Sequence, residues 1–396
     1  MRRILIVVLL LASISIAAGA EWAPKWKTSL GQEAVDAVAA GKAVYTAAIS
    51  EITAIDLERG DKIWSCPFAA VSSLAANETK VWVSGGGKLS VIDAATGKIV
   101  KNQNLPFKQL LLAPAPVNNR LLAETDRGSA LLDADGLKTL YQSKEPLFDE
   151  RRALLKQTGK WRARINEAKN LVYFVADGKL TAVDLTSGKI KFTSAAVSGL
   201  VGWPTVLGDT VLAFAPESLV CFNGDDGGIK WTSKVPTPQP INPLIVFAGP
   251  TQRLTFVYPG GLLHHHPDKN KIQIYYPIPE RVWPIRAEGE DTFFLYIYTD
   301  ETDQQMKSAV MRLSQKTAQL YGRSPATGET GGWVVFGKNQ VLAELAPGQL
   351  QLMDRWELKR IDTFVLPNDR LIYLAATEAK AVAVSQKGVV AGLALK

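Results

Sequence analysis

The sequence predicts an all-β fold, a single β-propeller built from four-stranded blades. Three observations support this prediction. A degenerate turn motif returns along the chain, at intervals from 31 residues (Asp354 to Ser385) to 51 residues (Asp133 to Asp184). Short β-prone runs fill the intervals, and no helical repeat interrupts them. A repeat of this length with several strands per period is typical of a propeller.

The turn motif consists of two or three apolar residues, Asp, three mostly polar residues, Gly, Lys or Asp, and an apolar pair. Its clearest copies are residues 54–64, 91–100 and 182–192. Asp can accept a hydrogen bond from the backbone two residues on, and Gly supplies the positive φ of a tight reversal. Each copy therefore predicts a β-hairpin. The structural residues of the repeat are predicted to be Asp56, Gly60, Trp64, Asp93, Gly97, Asp184, Gly188, Gly227 and Trp231.

Looser copies of the motif leave the number of blades open. They are centred on Asp133, Asn223, Asp268, Ser314, Asp354 and Ser385. The turns and one unmatched strand allow seven, eight or nine blades. We expect eight, with one weak C-terminal copy taking part in ring closure.

The runs between the turns predict the second strand of each blade. They are almost continuously apolar, as strands covered on both faces are. These runs are residues 42–47, 80–84, 120–123, 170–175, 209–214, 253–258, 291–296 and 340–343.

Both ends of the chain suggest how the ring closes. Residues 22–30 resemble the strand that follows each turn, but no hairpin precedes them. The C-terminal runs 370–375, 381–384 and 389–393 are the expected partners, with one blade shared between the two termini. Residues 145–164 depart from the repeat and predict a helical or loop insertion, either a contact surface or a solvated connector.

The first 20 residues predict a cleaved signal peptide. Arg2 and Arg3 precede the apolar run 4–16, and small residues 17–20 follow it. The run is shorter than the roughly 18 residues of a membrane span, so an uncleaved anchor is disfavoured. We expect residues 21–396 to form one exported domain in the periplasm or cell envelope. No Cys stands at the cleavage site, so lipid anchoring is not expected.

The charge of the chain argues against nucleic acid as a partner. The formal net charge of +7 falls to +5 without Arg2 and Arg3, and the remaining basic residues do not cluster on one segment. A solvated surface is the simpler explanation.

The motif Asp-x-x-x-Gly-Lys-x-x-Trp resembles the blade motif of the pyrroloquinoline-quinone (PQQ)-like propeller family. Asp56, Gly60 and Trp64, and then Asp93, Gly97 and Lys98, carry the resemblance, as do Asp184, Gly188, Lys189, Gly227 and Trp231. Among exported members of this size, the chain is most similar to BamB-like propellers of the outer-membrane β-barrel assembly machine. This resemblance implies a monomeric, non-catalytic scaffold that binds assembly components. Such propellers are usually lipoproteins, and this chain lacks their lipidation Cys.

Few residues suggest catalytic chemistry. Quinoprotein dehydrogenases of this family carry an adjacent Cys pair, whereas Cys66 and Cys221 lie far apart. We expect them in opposite blades, as two separate buried thiols, because a disulfide needs Cα atoms within about 7 Å. Every histidine lies in residues 264–266; His264 and His266 would share a strand face, but no third metal ligand is evident.

No hydrolase, phosphate-binding or zinc-protease motif is present. We therefore expect no enzyme activity, no metal and no cofactor. The alternative is a propeller that binds a small ligand or PQQ in its central funnel. Of the tryptophans, Trp64 and Trp231 are expected between blades. One or two of a less constrained set are expected to be exposed, namely Trp161, Trp203, Trp283, Trp333 and Trp356.

Overall fold

The computed structural model shows an all-β chain of four-stranded antiparallel sheets, as predicted. Apart from strands, its described residues contain one 3-10 helix, Glu167–Lys169. The described residues are 23–105, 110–112, 119–125, 128–143, 164–215, 217–234, 245–248, 254–258, 261–266, 271–277, 281–288, 291–314, 320–324 and 333–395. The predicted signal peptide and most of the predicted insertion at 145–164 lie outside these ranges. Among the described residues no helix has the length and apolarity needed to cross a membrane.

Within the described residues thirty-six strands build the sheets, and each sheet takes four of them. Blades 1 to 3 comprise β2 (Ala34–Ala40), β3 (Ala43–Ala48), β4 (Glu51–Asp56) and β5 (Lys62–Pro67); β6 (Val71–Ala76), β7 (Lys80–Gly85), β8 (Lys88–Asp93) and β9 (Ile99–Asn104); β10 (Leu110–Leu112), β11 (Arg120–Thr125), β12 (Gly128–Asp133) and β13 (Thr139–Gln142). Blades 4 to 6 comprise β14 (Arg164–Asn166), β15 (Leu171–Ala176), β16 (Lys179–Asp184) and β17 (Ile190–Thr193); β18 (Val201–Leu207), β19 (Thr210–Ala215), β20 (Ser218–Asn223) and β21 (Ile229–Lys234); β22 (Ile245–Ala248), β23 (Leu254–Tyr258), β24 (Gly261–His266) and β25 (Lys271–Pro277). Blades 7 to 9 comprise β26 (Arg281–Glu288), β27 (Asp291–Thr299), β28 (Met306–Ser314) and β29 (Leu320–Arg323); β30 (Val334–Phe336), β31 (Gln340–Ala346), β32 (Gln349–Asp354) and β33 (Arg360–Val365); β34 (Leu371–Ala376), β35 (Lys380–Ser385), β36 (Val389–Ala394) and β1 (Trp26–Ser29).

The blades follow one another around a closed ring. First strands of successive blades lie side by side, as β2 and β6 do, and β34 of blade 9 lies beside β2 of blade 1. Fourth strands such as β9 are largely exposed, so they form the circumference. The predicted second strands are β3, β7, β11, β15, β19, β23, β27 and β31. Five of them, β3, β7, β15, β19 and β31, are almost fully buried.

The hydrophobic core is divided into clusters that lie between neighbouring blades. Val38 and Ile52 of blade 1 belong to one cluster with Leu74 and Val83 of blade 2. Similar clusters join blades 2 and 3, 3 and 4, 4 and 5, 7 and 8, 8 and 9, and 9 and 1. A single blade buries little by itself, and stability therefore depends on stacking around the ring.

The shared closing blade is confirmed. Strand β1 pairs antiparallel with β36, with Trp26 opposite Gly392 and Ser29 opposite Val389. The indole of Trp26 lies so close to Gly392 that a Cβ there would come within 2.3 Å of a ring atom. Only glycine permits this contact, which holds the N-terminal strand against the C-terminal blade.

The expected count of eight blades is corrected to nine, the upper end of the predicted range. Blade 9 takes three strands from the C-terminus and one from the N-terminus, so the chain makes no turn between its third and fourth strands. The ninth predicted turn, at Ser385, instead joins the second strand β35 to the third strand β36. Ring closure therefore creates a ninth blade of its own and does not add a strand to one of the other eight.

The turn between the third and fourth strands, which we call the outer turn, has the predicted geometry. In blade 1 Asp56 Oδ1 accepts hydrogen bonds from the N–H groups of Glu58 (2.8 Å) and Arg59 (2.9 Å). The N–H of Gly60 donates to the carbonyl of Asp56 at 2.9 Å. The glycines at 60, 97, 188 and 227 all have positive φ. Leu137 and Leu358 take this place in blades 3 and 8, with φ of 56° and 55°.

Alanine substitutions at two glycines should separate backbone strain from packing. Gly86→Ala is expected to cost about 1 kcal/mol, because its φ is +55° but nothing lies within 4 Å of an added Cβ. Gly97→Ala should cost about 2–4 kcal/mol, because at a similar φ its Cβ would meet Trp64 Cδ2 at 2.7 Å. Urea denaturation measures both losses of unfolding free energy. Equal losses would show that the Trp64 side chain moves aside without cost.

Candidate protein-interaction surface

Blade boundaries share a repeated hydrogen bond. A side chain of one blade donates to a carbonyl in the outer turn of the next, at the residue after the turn Asp or Asn. The described examples are Trp26 Nε1 to Leu57 O (3.2 Å), Trp64 Nε1 to Ala94 O (2.8 Å), Trp82 Nε1 to Ala134 O (2.8 Å), Arg120 Nε to Leu185 O (2.6 Å) and Tyr173 Oη to Gly224 O (2.8 Å). Trp64 thus lies between blades, and these donors hold each turn against the preceding blade.

An ion pair accompanies this hydrogen bond at three boundaries. Its acid lies two residues after the turn Asp or Asn, and its lysine lies at or just before the second strand of the preceding blade. The pairs are Lys80–Asp135, Lys169–Asp225 and Lys380–Glu58. Exposed pairs of this kind contribute little stability each, but they mark the residue types typical of this position.

The boundary between blades 7 and 8 departs from this pattern. Trp356 occupies the position of the acid, and Asp291, at the start of β27, replaces the lysine. Arg312 connects the two sides, since its Nη2 lies 2.8 Å from Asp291 Oδ2 and its Nη1 donates to the carbonyl of Trp356 at 2.9 Å. The blades are therefore joined through the backbone of Trp356, while the residue is 46% exposed.

The packing of aromatic residue against glycine is reversed at the same boundary. Gly322 pairs with Arg312 as Trp64 pairs with Ala54, so Gly322 takes the tryptophan position of the repeat. The glycine position of the next turn holds Leu358, which is fully buried. A Cβ on Gly322 would lie 3.7 Å from Leu358 Cδ1. Leu358 therefore fills the boundary, and Trp356 is not required for its packing.

Arginine and aromatic side chains alternate across this boundary, and we call the five residues the Arg–aromatic ladder. The Arg312 guanidinium lies 5.2 Å from the ring centre of Tyr321 and 5.0 Å from that of Trp356. The Arg355 guanidinium lies 5.3 Å from Trp356 and 5.6 Å from Phe336. Each cation–π contact contributes about 0.5–2 kcal/mol, more where water is excluded. The ladder runs from exposed Tyr321 to half-buried Phe336.

Hydrogen bonds hold the ladder in one arrangement. Arg355 is buried, and its Nη1 donates to the carbonyls of Gly337 (3.2 Å) and Lys338 (3.0 Å). Asp354 Oδ1 accepts the N–H groups of Trp356 and Glu357, both at 2.8 Å. Trp356 is thus exposed but oriented before any partner arrives. Exposed Trp, Tyr and Arg side chains held rigidly are the residue types that dominate binding energy at protein interfaces.

Other exposed apolar residues have a simpler explanation. Five isoleucines are exposed at the first or second position of a fourth strand, namely Ile63, Ile99, Ile190, Ile229 and Ile361. They recur in blades 1, 2, 4, 5 and 8 on the circumference, so the repeat itself accounts for them. Trp356 is not one of this set, and the repeat does not explain its exposure.

Blade 7 also carries a second unusual feature, a long hairpin. Strands β27 and β28 have nine residues each, whereas their counterparts in blades 1, 2, 4 and 5 have six. At its tip Lys307 Nζ lies 2.8 Å from Asp300 Oδ2 and 2.7 Å from Asp303 Oδ2. This lysine, together with the N–H of Thr302, lowers the pKa of Asp300 to about 2. The tip is thus an ordered acidic element.

Titration of the tip should depend on Lys307. The pKa of Asp300 is depressed, so its contribution to stability is present above the ordinary value of 3.8 and is lost as the pH falls through about 2. Lys307→Met should move the Asp300 midpoint up toward 3.8, as followed by carboxyl NMR. Lys359→Met, which removes the partner of Glu357, serves as control. An Asp300 midpoint unchanged in Lys307→Met would contradict the assignment.

The structure places the remaining predicted residues as follows. Cys66 and Cys221 are both buried and free, in blades 1 and 5, as predicted. His264 and His266 lie on β24 and pair with Thr255 and Lys271. No group of three His, Cys, Asp or Glu suited to a metal occurs within the described part of the chain.

The tryptophan predictions are resolved in part. Trp333 is buried and Trp356 exposed, in line with the expectation of one or two exposed tryptophans. Trp231 lies on β21 opposite Cys221. Sequence reasoning missed Tyr321, Arg312 and Arg355. The available signal was the turn copy 354–358, which carries Trp at a position that is otherwise polar or small.

Comparison with known proteins indicates a family. The sequence model described as "Outer membrane protein assembly factor BamB" matches residues 16–110, 48–150 and 151–258, more than half of the chain. No curated protein matches the sequence.

Solved structures share the fold. BamB from Moraxella catarrhalis is 13% identical with a TM-score of 0.52, over 94% of this chain and 100% of that one. The computationally designed Ika8 protein is 12% identical with a TM-score of 0.54, over 93% of this chain and 98% of that one. At these identities the likeness concerns the fold alone.

Proposed function

The chain belongs to the family of the outer membrane protein assembly factor BamB, and from this premise we propose that it is an exported scaffold that binds another protein. The scaffold acts without catalysis, and its work lies in the assembly of outer-membrane or other envelope proteins. Family membership supports protein binding in general. The partner and the contact surface are the specific parts of the proposal.

The Arg–aromatic ladder is the observation that carries the proposal. Trp356 is held by its backbone and by two guanidinium groups while nearly half of its surface faces solvent. Propellers commonly bind partners through loops on a regular scaffold. An oriented tryptophan in such a loop supplies a large apolar contact at low cost in side-chain entropy.

Export is part of the same proposal. The charged, apolar and small-residue regions of residues 1–20 support secretion, and the family assignment fits an envelope location. The mature chain would begin at Glu21 and carry no lipid. It would reach its place in the envelope by binding a partner.

Cross-linking in the native envelope tests the function. The tagged protein is cross-linked mildly, purified, and its partners are identified by mass spectrometry. Recovery of outer-membrane barrel proteins or of their assembly machinery is expected. Recovery of the propeller alone would contradict the proposal, and analysis of the purified protein for a bound quinone or small ligand would then test the alternative function.

A further inference from the structure

We propose that the ladder binds an extended segment of the partner that carries a carboxylate next to an aromatic or large apolar side chain. This inference rests on the proposed function and names the chemistry of the partner. It follows from the charges of the blade 8 outer turn, from the exposed side chains beside it and from the free edge of β33.

The outer turn of blade 8 differs in charge from the other outer turns that the structure describes. Residues 354–360 comprise three basic and two acidic residues. The equivalent stretches 56–62, 133–139 and 223–229 have more acids than bases, and 93–99 and 184–190 have equal numbers. The net positive charge of this turn therefore favours an acidic partner. The acidic turns disfavour such a partner, and the neutral turns neither attract nor repel it.

Most charges of this turn already have partners. Glu357 Oε2 pairs with Lys359 Nζ at 2.8 Å, and Asp354 accepts two backbone N–H groups. Arg355 is buried against backbone carbonyls. Arg360 is exposed and forms no ion pair with any residue of the described ranges. Its guanidinium is available for a carboxylate, which it can bind with two parallel hydrogen bonds.

Exposed apolar side chains flank Arg360. Ile361 follows it on β33 and is 46% exposed, and the ladder presents Trp356 and Tyr321 from the same blade boundary. A partner side chain laid on the Trp356 ring would be desolvated together with the ion pair, which strengthens both contacts. The partner therefore needs an apolar group beside its carboxylate.

The strand edge indicates an extended partner. Strand β33 is the last strand of its sheet, so its outer edge is not bonded within the blade. An extended segment can bond its backbone to such an edge while alternate side chains reach the surface on one side. Every blade has such an edge, and the ladder with Arg360 distinguishes this one.

Selection from a library of random linear heptapeptides displayed on phage tests the inference. The full exported chain is panned in parallel with Trp356→Ala and Arg360→Glu. We expect peptides retained by the wild-type chain to place Asp or Glu beside Phe, Tyr, Trp or Leu. Their synthetic copies should bind about tenfold more weakly to Arg360→Glu, a loss of about 1.4 kcal/mol, and more weakly at high salt.

Controls keep failure to fold apart from failure to bind. Lys62→Glu changes the equivalent position of blade 1 and should retain the same peptides, and circular dichroism verifies each variant. The inference is overturned if the wild-type chain retains no peptide that the variants lose, or if the retained peptides show no excess of acids. If the envelope partner depends on Trp356 but the peptides lack acids, the proposed function stands and the inference fails. If acidic peptides bind but no envelope partner is recovered, the inference about the ladder stands and the proposed function fails.

Discussion

Trp26→Ala is expected to weaken closure of the ring and to lower the free energy of unfolding by about 3 kcal/mol. The four-residue strand β1 is the whole N-terminal contribution to blade 9. The indole of Trp26 packs against Gly60 and Gly392 and donates a hydrogen bond to the carbonyl of Leu57. Alanine removes the ring, its hydrogen bond and the contact with two blades at once.

Urea denaturation and hydrogen exchange of the β36 amides measure this effect. Lys27→Ala is the matched control, because Lys27 lies on the same strand with its side chain exposed, and its cost should stay within about 0.5 kcal/mol. Faster exchange in β36 is expected for Trp26→Ala alone. If the two variants lose equal stability, strand pairing without the indole is enough to close the ring.

Trp356→Ala should weaken binding of the envelope partner by about 30-fold or more. Central Trp residues of interfaces commonly contribute at least about 2 kcal/mol. The stability of the fold should fall only by the two cation–π contacts of Trp356, about 1–2 kcal/mol at this exposed site, because its backbone makes the hydrogen bond with Arg312 and Leu358 fills the boundary. The yield of cross-linked partner, and then the affinity for that partner once purified, measure the loss.

Ile190→Ala is the control for this prediction. Ile190 is 56% exposed, on the fourth strand of blade 4 and far from the ladder along the ring. Its replacement should leave partner recovery unchanged. Loss of the partner in Ile190→Ala with retention in Trp356→Ala would move the contact surface from the ladder to the circumference of the ring.

The acidic hairpin of blade 7 and the ladder illustrate how function can be sought in a repeat protein. Most blade boundaries use the same position of the turn, although Trp, Arg and Tyr all serve as donors. Residues that do not serve this repeated boundary contact can then be identified. Trp356 is one of them, and the tip residues Asp300 and Asp303 with Lys307 are others.

Local chemistry made much of the fold predictable from the sequence. A turn such as Asp56 to Gly60 closes through hydrogen bonds within five residues, so its motif carries its own geometry. The apolar second strands follow from burial on both faces, and the N-terminal strand was recognisable from its likeness to the strand that follows each turn. The separation of Cys66 from Cys221 follows from their places in different blades.

Only the tertiary structure decided the blade count and the candidate surface. The ninth blade has no outer turn, because its strands come from opposite ends of the chain, and a count of outer turns alone therefore falls short of the blade count by one. Arg312, Tyr321 and Trp356 belong to two blades and meet only when those blades pack. Their alternation depends on distances between segments far apart in the chain, and no periodic pattern along the sequence records such distances.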